Sequence, residues 1–448
     1  MSKSRLVPLG VFVCCVFMCA RAPAADQKSA TRLSDLPAEA QEAISAALAR
    51  KGTGIRSVTL TASDGANQDA FGSSVAIDGD TVVVGAFGAN TVYVFIKPPN
   101  GWSNMTETAE LTALAFQGED FGYSVAISGN TIVVGAVEAN VGANEAQGAA
   151  YVFVEPAGGW TNMTETAELT ASDGVTYSGF GNAVAISGSA IVVGAPSGTN
   201  GNIGPGIVYE FTEPNSGWAN MTQTAELTAS DGVEYNDFGN SVSISGRSAL
   251  VGAPGGCSCS PPGSVYVFVE PAGGWEDMTE TATLTPSDGT PQNGFGRSVS
   301  ISDRTAVVGA PGQGAKDYGA VYVFVQPSSG WINMTQTAEL TAGGETLEGF
   351  GIAVAVDTDV ILAGNPNLDR ANGRAFVFLK PANGWQNTST YNASLGILFA
   401  YHANDFGYAL AVSGATGVIG ALYAPTSPPC GYGGCQAGPG EAFVFTEK

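Results

Sequence analysis

The sequence predicts an all-β fold, a seven-bladed β-propeller of four-stranded antiparallel blades, on three observations. First, seven Phe-Gly pairs recur in phase: Phe71-Gly72, Phe121-Gly122, Phe180-Gly181, Phe238-Gly239, Phe295-Gly296, Phe350-Gly351 and Phe406-Gly407. Fourteen residues after each Phe stands a second glycine, namely Gly85, Gly135, Gly194, Gly252, Gly309, Gly364 and Gly420. Second, a run rich in Val, Tyr and Phe follows each of these glycines, as at Val92, Ala150, Ile207, Val265, Val321, Ala375 and Ala442. Third, the Phe-to-Phe steps are 50, 59, 58, 57, 55 and 56 residues, so a rigid core alternates with connections of variable length. A unit of roughly 50–60 residues carrying four short strands and repeated radially is the signature of a propeller blade.

The fourth unit shows how each element is predicted. Asn240 to Ser245 alternates small or polar residues with Val242 and Ile244, the period of a half-buried strand. Ser245-Gly246-Arg247 is a tight turn, because glycine tolerates the positive φ that hairpins demand. Ser248 to Ala253 is a second strand, stopped by Pro254, which cannot donate to a ladder. Ser264 to Val269 is a third strand, and Thr281 to Thr285 a short fourth with Leu284 inward. Nearly all-apolar runs such as Val82-Val83-Val84 suit strands buried on both faces between blades.

Closure follows from an offset. Gly-Trp pairs end at Trp102, Trp160, Trp218, Trp275, Trp331 and Trp385, six against the seven Phe-Gly pairs, and the seventh unit stops after its third strand. The segment Val58 to Gly65 precedes the first pair, with Leu60 eleven residues before Phe71, the same distance as Leu169 to Phe180. This N-terminal strand is expected to complete the last blade as its outer strand, hiding edges that an open array would expose. Residues 57–448 then divide into seven blades of 56 residues.

The units beginning FGYSVAISGNTIVVGA at Phe121 and FGNAVAISGSAIVVGAP at Phe180 resemble FG-GAP repeats, as found in the propeller of integrin α subunits and in secreted bacterial proteins. The resemblance covers nearly the whole chain after Arg56 and implies the propeller fold; the expectation of a binding or adhesion role rests on the variable loops of one face. Integrin propellers carry a calcium loop inside the repeat. Here the constant spacing leaves only two-strand hairpins, such as Asp78-Gly79-Asp80 and Asp357-Thr358-Asp359, with no room for about 6–8 oxygen ligands. No cofactor is expected.

Upstream of the ring, residues 1–24 read as a secretory signal: Lys3 and Arg5, an apolar run from Leu6 to Ala20, then Ala22-Pro23-Ala24. Phe17-Met18 before Cys19 disfavours a lipoprotein signal, and no later segment is long enough to span a bilayer. The expected location is extracellular or periplasmic. Residues 25–56 form an N-terminal segment containing an amphipathic helix over 35–51, with Leu36, Ala40, Ile44 and Leu48 spaced by four and Gly52 as its stop.

Charge excludes whole classes of partner. The formal net charge is −23, or −26 without Lys3, Arg5 and Arg21, which disfavours nucleic acid and anionic membrane surfaces. The expected partner is an extracellular protein or carbohydrate, bound by a monomer. Export permits disulfides. Cys430 and Cys435 are the favoured pair, Cys257 and Cys259 would close a small strained ring, and the two spacings are not those of zinc knuckles.

The chain offers few of the residues that catalytic constellations need. His402 is the only histidine, which excludes sites with two His ligands, and no Gly-x-Ser-x-Gly elbow, P-loop or dinucleotide fingerprint occurs. Acidic residues recur before the Phe-Gly pairs, among them Asp69, Asp120, Asp237 and Asp405. Turn chemistry explains them. The sharper alternative is a ring of carboxylates at the channel mouth that binds cations or sugar hydroxyls, or supplies the carboxylate pair of a polysaccharide-acting enzyme. The six Trp, at one place in each repeat, suit packing better than sugar stacking, and sequons such as Asn162-Met163-Thr164 follow them. Length varies most between the second and third strands, so a binding site is expected on Val137–Ala149, Ser197–Ile207, Gly255–Ser264 and Leu422–Glu441.

Overall fold

A computed structural model describes residues 55–114, 119–197, 204–232, 234–255, 262–288, 293–312, 319–343, 349–368, 373–396, 405–423 and 438–447. The signal predicted over 1–24, the helix predicted over 35–51, His402, Cys257, Cys259, Cys430 and Cys435 lie outside these residues.

Seven antiparallel sheets make seven blades. In blade four the strands are Ser241–Ser245, Ser248–Ala253, Ser264–Val269 and Ala282–Thr285, within a residue of the sequence expectation. The first strand of each blade touches the first strands of both neighbours, and those of blades one and seven meet. The first strands therefore ring the axis, and the third and fourth lie progressively outward. In blade seven the third strand, Glu441–Glu447, pairs antiparallel with Ile55–Thr61, with Arg56 opposite Thr446 and Leu60 opposite Ala442.

The fixed Phe-Gly-to-Gly spacing has a physical cause that lies between blades. Each Phe is buried and packs its ring 5.3–5.7 Å from the first aromatic of its own third strand, as Phe71 does on Tyr93. The next residue, glycine, takes φ of +87° to +94° in a tight turn. That turn is closed by a 2.9–3.2 Å hydrogen bond from the N–H two positions after Phe to the carbonyl one position before it. Its carbonyl points at the second glycine of the preceding blade. A Cβ on Gly85, Gly135, Gly194, Gly252, Gly309, Gly364 or Gly420 would sit only 1.9–2.2 Å from the carbonyl oxygen of the next blade's Phe-Gly glycine, with Gly420 against Gly72. The two glycines of the motif are thus partners across an interface.

A third glycine series escaped the sequence reading. Gly148, Gly206, Gly263, Gly319, Gly373 and Gly440, just before the third strands, each hold a spot where a Cβ would lie within 2.0 Å of the next blade's Phe carbonyl. In blade one the equivalent residue is Asn90, with φ +52°, whose Oδ1 accepts from Phe121 N. Glycine or a left-handed Asn answers the same backbone requirement.

Most blades carry a fifth strand that the sequence reading did not separate. A two-residue Met-Thr strand from the following repeat joins the outer edge in parallel, as Met163 beside Leu111 and Met278 beside Leu227. It is clamped on each side. Asn104, Asn162, Asn220, Asp277, Asn333 and Asn387 each accept a 2.9 Å hydrogen bond from an outer-strand N–H of the preceding blade. Three residues on, Glu107, Glu165, Gln223, Glu280 and Gln336 accept a second from the N–H two residues past the end of that strand. The sequon asparagines are therefore staples between blades. Two residues before each staple, Trp102 to Trp385 are buried to 4–8 % exposure among apolar residues of two adjacent blades.

On the hairpin face a second belt closes the ring. Asp78, Ser128, Ser187, Ser245, Ser302, Asp357 and Ser413 each accept from a turn N–H of the next blade, ending with Gly79 N on Ser413. The Asp78-Gly79-Asp80 hairpin owes its first acid to this belt.

Candidate functional site

The opposite face carries the starts of the first strands, the ends of the second and the variable loops. Here the tight turns bring one residue per blade to the mouth of the central channel: Ser73, Tyr123, Asn182, Asn240, Arg297, Ile352 and Tyr408. They differ in chemistry, whereas the residues beneath them repeat. Asn182 Nδ2 donates to Asn240 O at 2.9 Å, and Arg297 Nη1 donates to Asn240 Oδ1 at 3.1 Å, linking three successive blades. Tyr408 is 37% exposed, but desolvation where its hydroxyl sits raises the pKa above the ordinary value; Tyr123 adds to this, and the Arg297 cation opposes it. Side chains from blades two, five and seven thus share one electrostatic environment across the axis.

The acids predicted for this mouth have mixed roles. Asp120, Asp237 and Asp405 stand immediately before Phe-Gly with φ of +50° to +55°, a place held by Ala70, Gly179, Gly294 and Gly349 in the other blades. Asp tolerates the left-handed region better than most residues, so turn chemistry accounts for its presence. Burial raises the pKa of all three carboxyls; Glu138 adds to this at Asp120, while Arg297 opposes it at Asp237. Asp69 accepts from Ala66 N within its own turn. Asp64, Asp173, Asp231 and Asp288 accept hydrogen bonds of 2.7–3.0 Å from the third-strand hydroxyls of Tyr93, Tyr209, Tyr266 and Tyr322. Among the described residues no three His, Cys, Asp or Glu side chains converge as a metal site.

Aromatic exposure supplies what the tryptophans do not. Among the described residues Tyr123, Tyr177, Tyr235, Tyr408 and Tyr423 are exposed, and all five sit on strand ends or connections of this face. Tyr177 and Tyr235 occupy equivalent places in blades three and four with φ of +60° and +61°. A bulky residue held in that region is a strained conformation, of the kind that clusters where a side chain is presented for use. Their signal in the sequence was a Tyr three residues before each Phe in only two of seven repeats, too sparse to read as a pattern.

The loop of residues 137–149 is the variable connection the structure describes in full. Val141 and Asn144 bridge each other, Asn144 Nδ2 donates to Gln147 Oε1 and to Gly174 O at 2.8 Å, and Tyr177 N donates to Glu145 O. Blade two's loop is thereby pinned to the connection that carries Tyr177. The other three predicted loops fall partly outside the described residues. No described helix is long and apolar enough to cross a membrane.

Comparison with known proteins agrees with this architecture. A model of the FG-GAP repeat matches residues 56–95, 105–153, 163–211, 221–268 and 278–324, just over half of the 448-residue chain. No curated protein matches the chain. The first matched stretch opens in the outer strand Ile55–Thr61 and the others on a Met-Thr strand; each takes in the preceding blade's outer strand and ends in a third strand, the same offset that places Ile55–Thr61 in blade seven. Five matched repeats on a closed seven-bladed ring place the chain in the FG-GAP repeat family.

Proposed function

We propose that this chain is an exported binding or adhesion propeller that grips a protein or glycan ligand on the loop face, around the channel mouth. The observation that carries the reading is the collar of exposed tyrosines, Tyr123, Tyr177, Tyr235, Tyr408 and Tyr423, all on that one face. Tyr supplies broad apolar area with a polar tip and few rotatable bonds, which is why it is favoured where one surface must hold another. The rigid ring beneath fixes the collar, and Arg297 and the Asn182–Asn240 pair add directional polar contacts. No observation favours a hydrolytic pair: Asp120, Asp237 and Asp405 lie on blades two, four and seven, in turns that need their backbone conformation.

Replacing Tyr177 and Tyr235 together by Ala tests this. Both side chains are exposed, so folding should persist while binding falls by tenfold or more, read on a glycan array and by pull-down from the native extracellular fraction. Undiminished capture of the same ligand by the double variant would refute the collar.

A further inference from the structure

One of the seven blade interfaces is built differently. Each Trp packs between its own blade and the preceding one, Trp160 between blades one and two and Trp102 between blades seven and one. The seventh repeat contains no Trp, so the interface of blades six and seven has none. Among the described residues it also lacks even the isolated Leu340–Thr388 bridge that stands in for the Met-Thr strand at blade five: Ala393–Leu395 is the last strand of its sheet. A third loss lies deeper. The second strands place Val82, Ile132, Ile191, Ala249, Ala306 and Ile361 against the preceding blade, and blade seven has Gly417 there. The result is an apolar cleft of about 270 Å³ whose walls include Leu362, Val377, Leu395, Val412, Gly417 and Phe445.

We propose that residues 35–51 of this chain dock in that cleft, filling with their apolar stripe the space that a tryptophan and a side chain at position 417 would take. Three observations select this occupant. The chain enters the ring at Ile55, opposite Glu447, and the next partners, Thr446 and Phe445, line the cleft. The upstream segment therefore starts one strand away, about 4.8 Å. Gly52-Thr53-Gly54 can span about 10 Å. If residues 35–51 take the helix their spacing predicts, it would be about 25 Å long and would bring Leu36, Ala40, Ile44 and Leu48 onto one face. Asp357, which accepts from Gly414 N, and Asp359, which pairs with Lys380 at 3.1 Å, line the cleft and leave it net negative, opposite in sign to the Arg50-Lys51 end of the segment. The docked segment would cover the open edge of Ala393–Leu395, the exposed sheet edge that proteins of this architecture otherwise protect.

The test uses the full chain with two kinds of variant. Gly417→Trp fills the cleft from the ring side; a Cβ there meets only the flexible Leu362 Cδ1 at 3.1 Å, so the ring can accommodate it. Ile44→Asp with Leu48→Asp spoils the stripe and leaves the ring untouched. Docking predicts slow tryptic cleavage at Arg50 and Lys51 in the natural chain, and cleavage at least tenfold faster in both variants. A benzophenone side chain at position 44 should attach to residues 360–362, 377–379, 393–395 or 412–417 of the same chain. Equal cleavage rates in the natural chain and the stripe variant would overturn the proposal. So would attachment to another part of the ring, or to a second copy, which would give the cleft a different occupant.

Discussion

Glu210 offers the sharpest quantitative prediction. It stands in the third strand of blade three where the other blades have Val94, Val152, Val267, Val323, Val377 and Val444. Strand alternation turns it to the Val208 side, toward blade four, and it is fully buried. Thr212 Oγ1 donates to Glu210 Oε1 at 2.7 Å, but Oε2 has no partner among the described residues. Burial raises its pKa from 4.5 to about 7; the Thr212 bond opposes this and Glu270 adds to it. The folded state therefore holds a proton that the unfolded state has already released between those two values. Stability from this group is fully present below pH 4.5 and is lost as pH rises to about 7. At about 1.4 kcal/mol per pKa unit the loss is on the order of 3 kcal/mol. Glu210→Gln keeps the shape and cannot ionise. Urea denaturation of both proteins from pH 4 to pH 8 should show a difference that favours the variant increasingly as pH rises. Other buried carboxyls with raised pKa values tilt both curves equally and cancel in the difference. Parallel curves across that range would refute the assignment of an ionisable, uncompensated carboxyl at this interface.

Two further perturbations probe the interfaces. Gly309→Ala brings a Cβ to 1.9 Å from Gly351 O and 2.4 Å from Ser298 Oγ, which itself donates to Gly351 O at 3.0 Å. Overpacking of about 1–3 kcal/mol plus about 1 kcal/mol for the lost hydrogen bond should lower the denaturation midpoint clearly; an unchanged midpoint would contradict the glycine-to-glycine contact. Asn162→Ala removes one staple from Glu110 N and should cost about 1 kcal/mol, with faster amide exchange confined to the edge of blade one, read by hydrogen-exchange mass spectrometry. Exchange unchanged at Glu110 would show that the Met163–Thr164 strand holds without it.

The ring was legible because its determinants repeat. Phe-Gly and the glycine fourteen residues on are constrained by backbone geometry, which tolerates no substitute, so the constraint is written seven times at one spacing. The tryptophans were equally readable as packing. The acids directly before Phe-Gly share left-handed backbone with the glycines that replace them, whereas the tyrosine partners of Asp64, Asp173, Asp231 and Asp288 lie about thirty residues away and left no local signal. Less legible was the segment after each Trp. Asn162-Met163-Thr164 looked like a sequon inherited with the repeat, and its work as an inter-blade clasp depends on a neighbour about fifty residues away.

The sequence by itself determined the number of blades, the order of strands and the offset between the first and last repeats, because local patterning and chain length are enough for those. Tertiary structure decided what the motif is for and where chemistry can lie. Only the closed ring sets Gly85 against Gly122 and brings Tyr123, Arg297 and Tyr408 around one mouth from repeats far apart in the chain. Only the ring shows the apolar cleft that Gly417 and its neighbours leave between blades six and seven. Contacts between repeats depend on rotation about an axis, and a linear sequence carries no record of which residues that rotation makes neighbours.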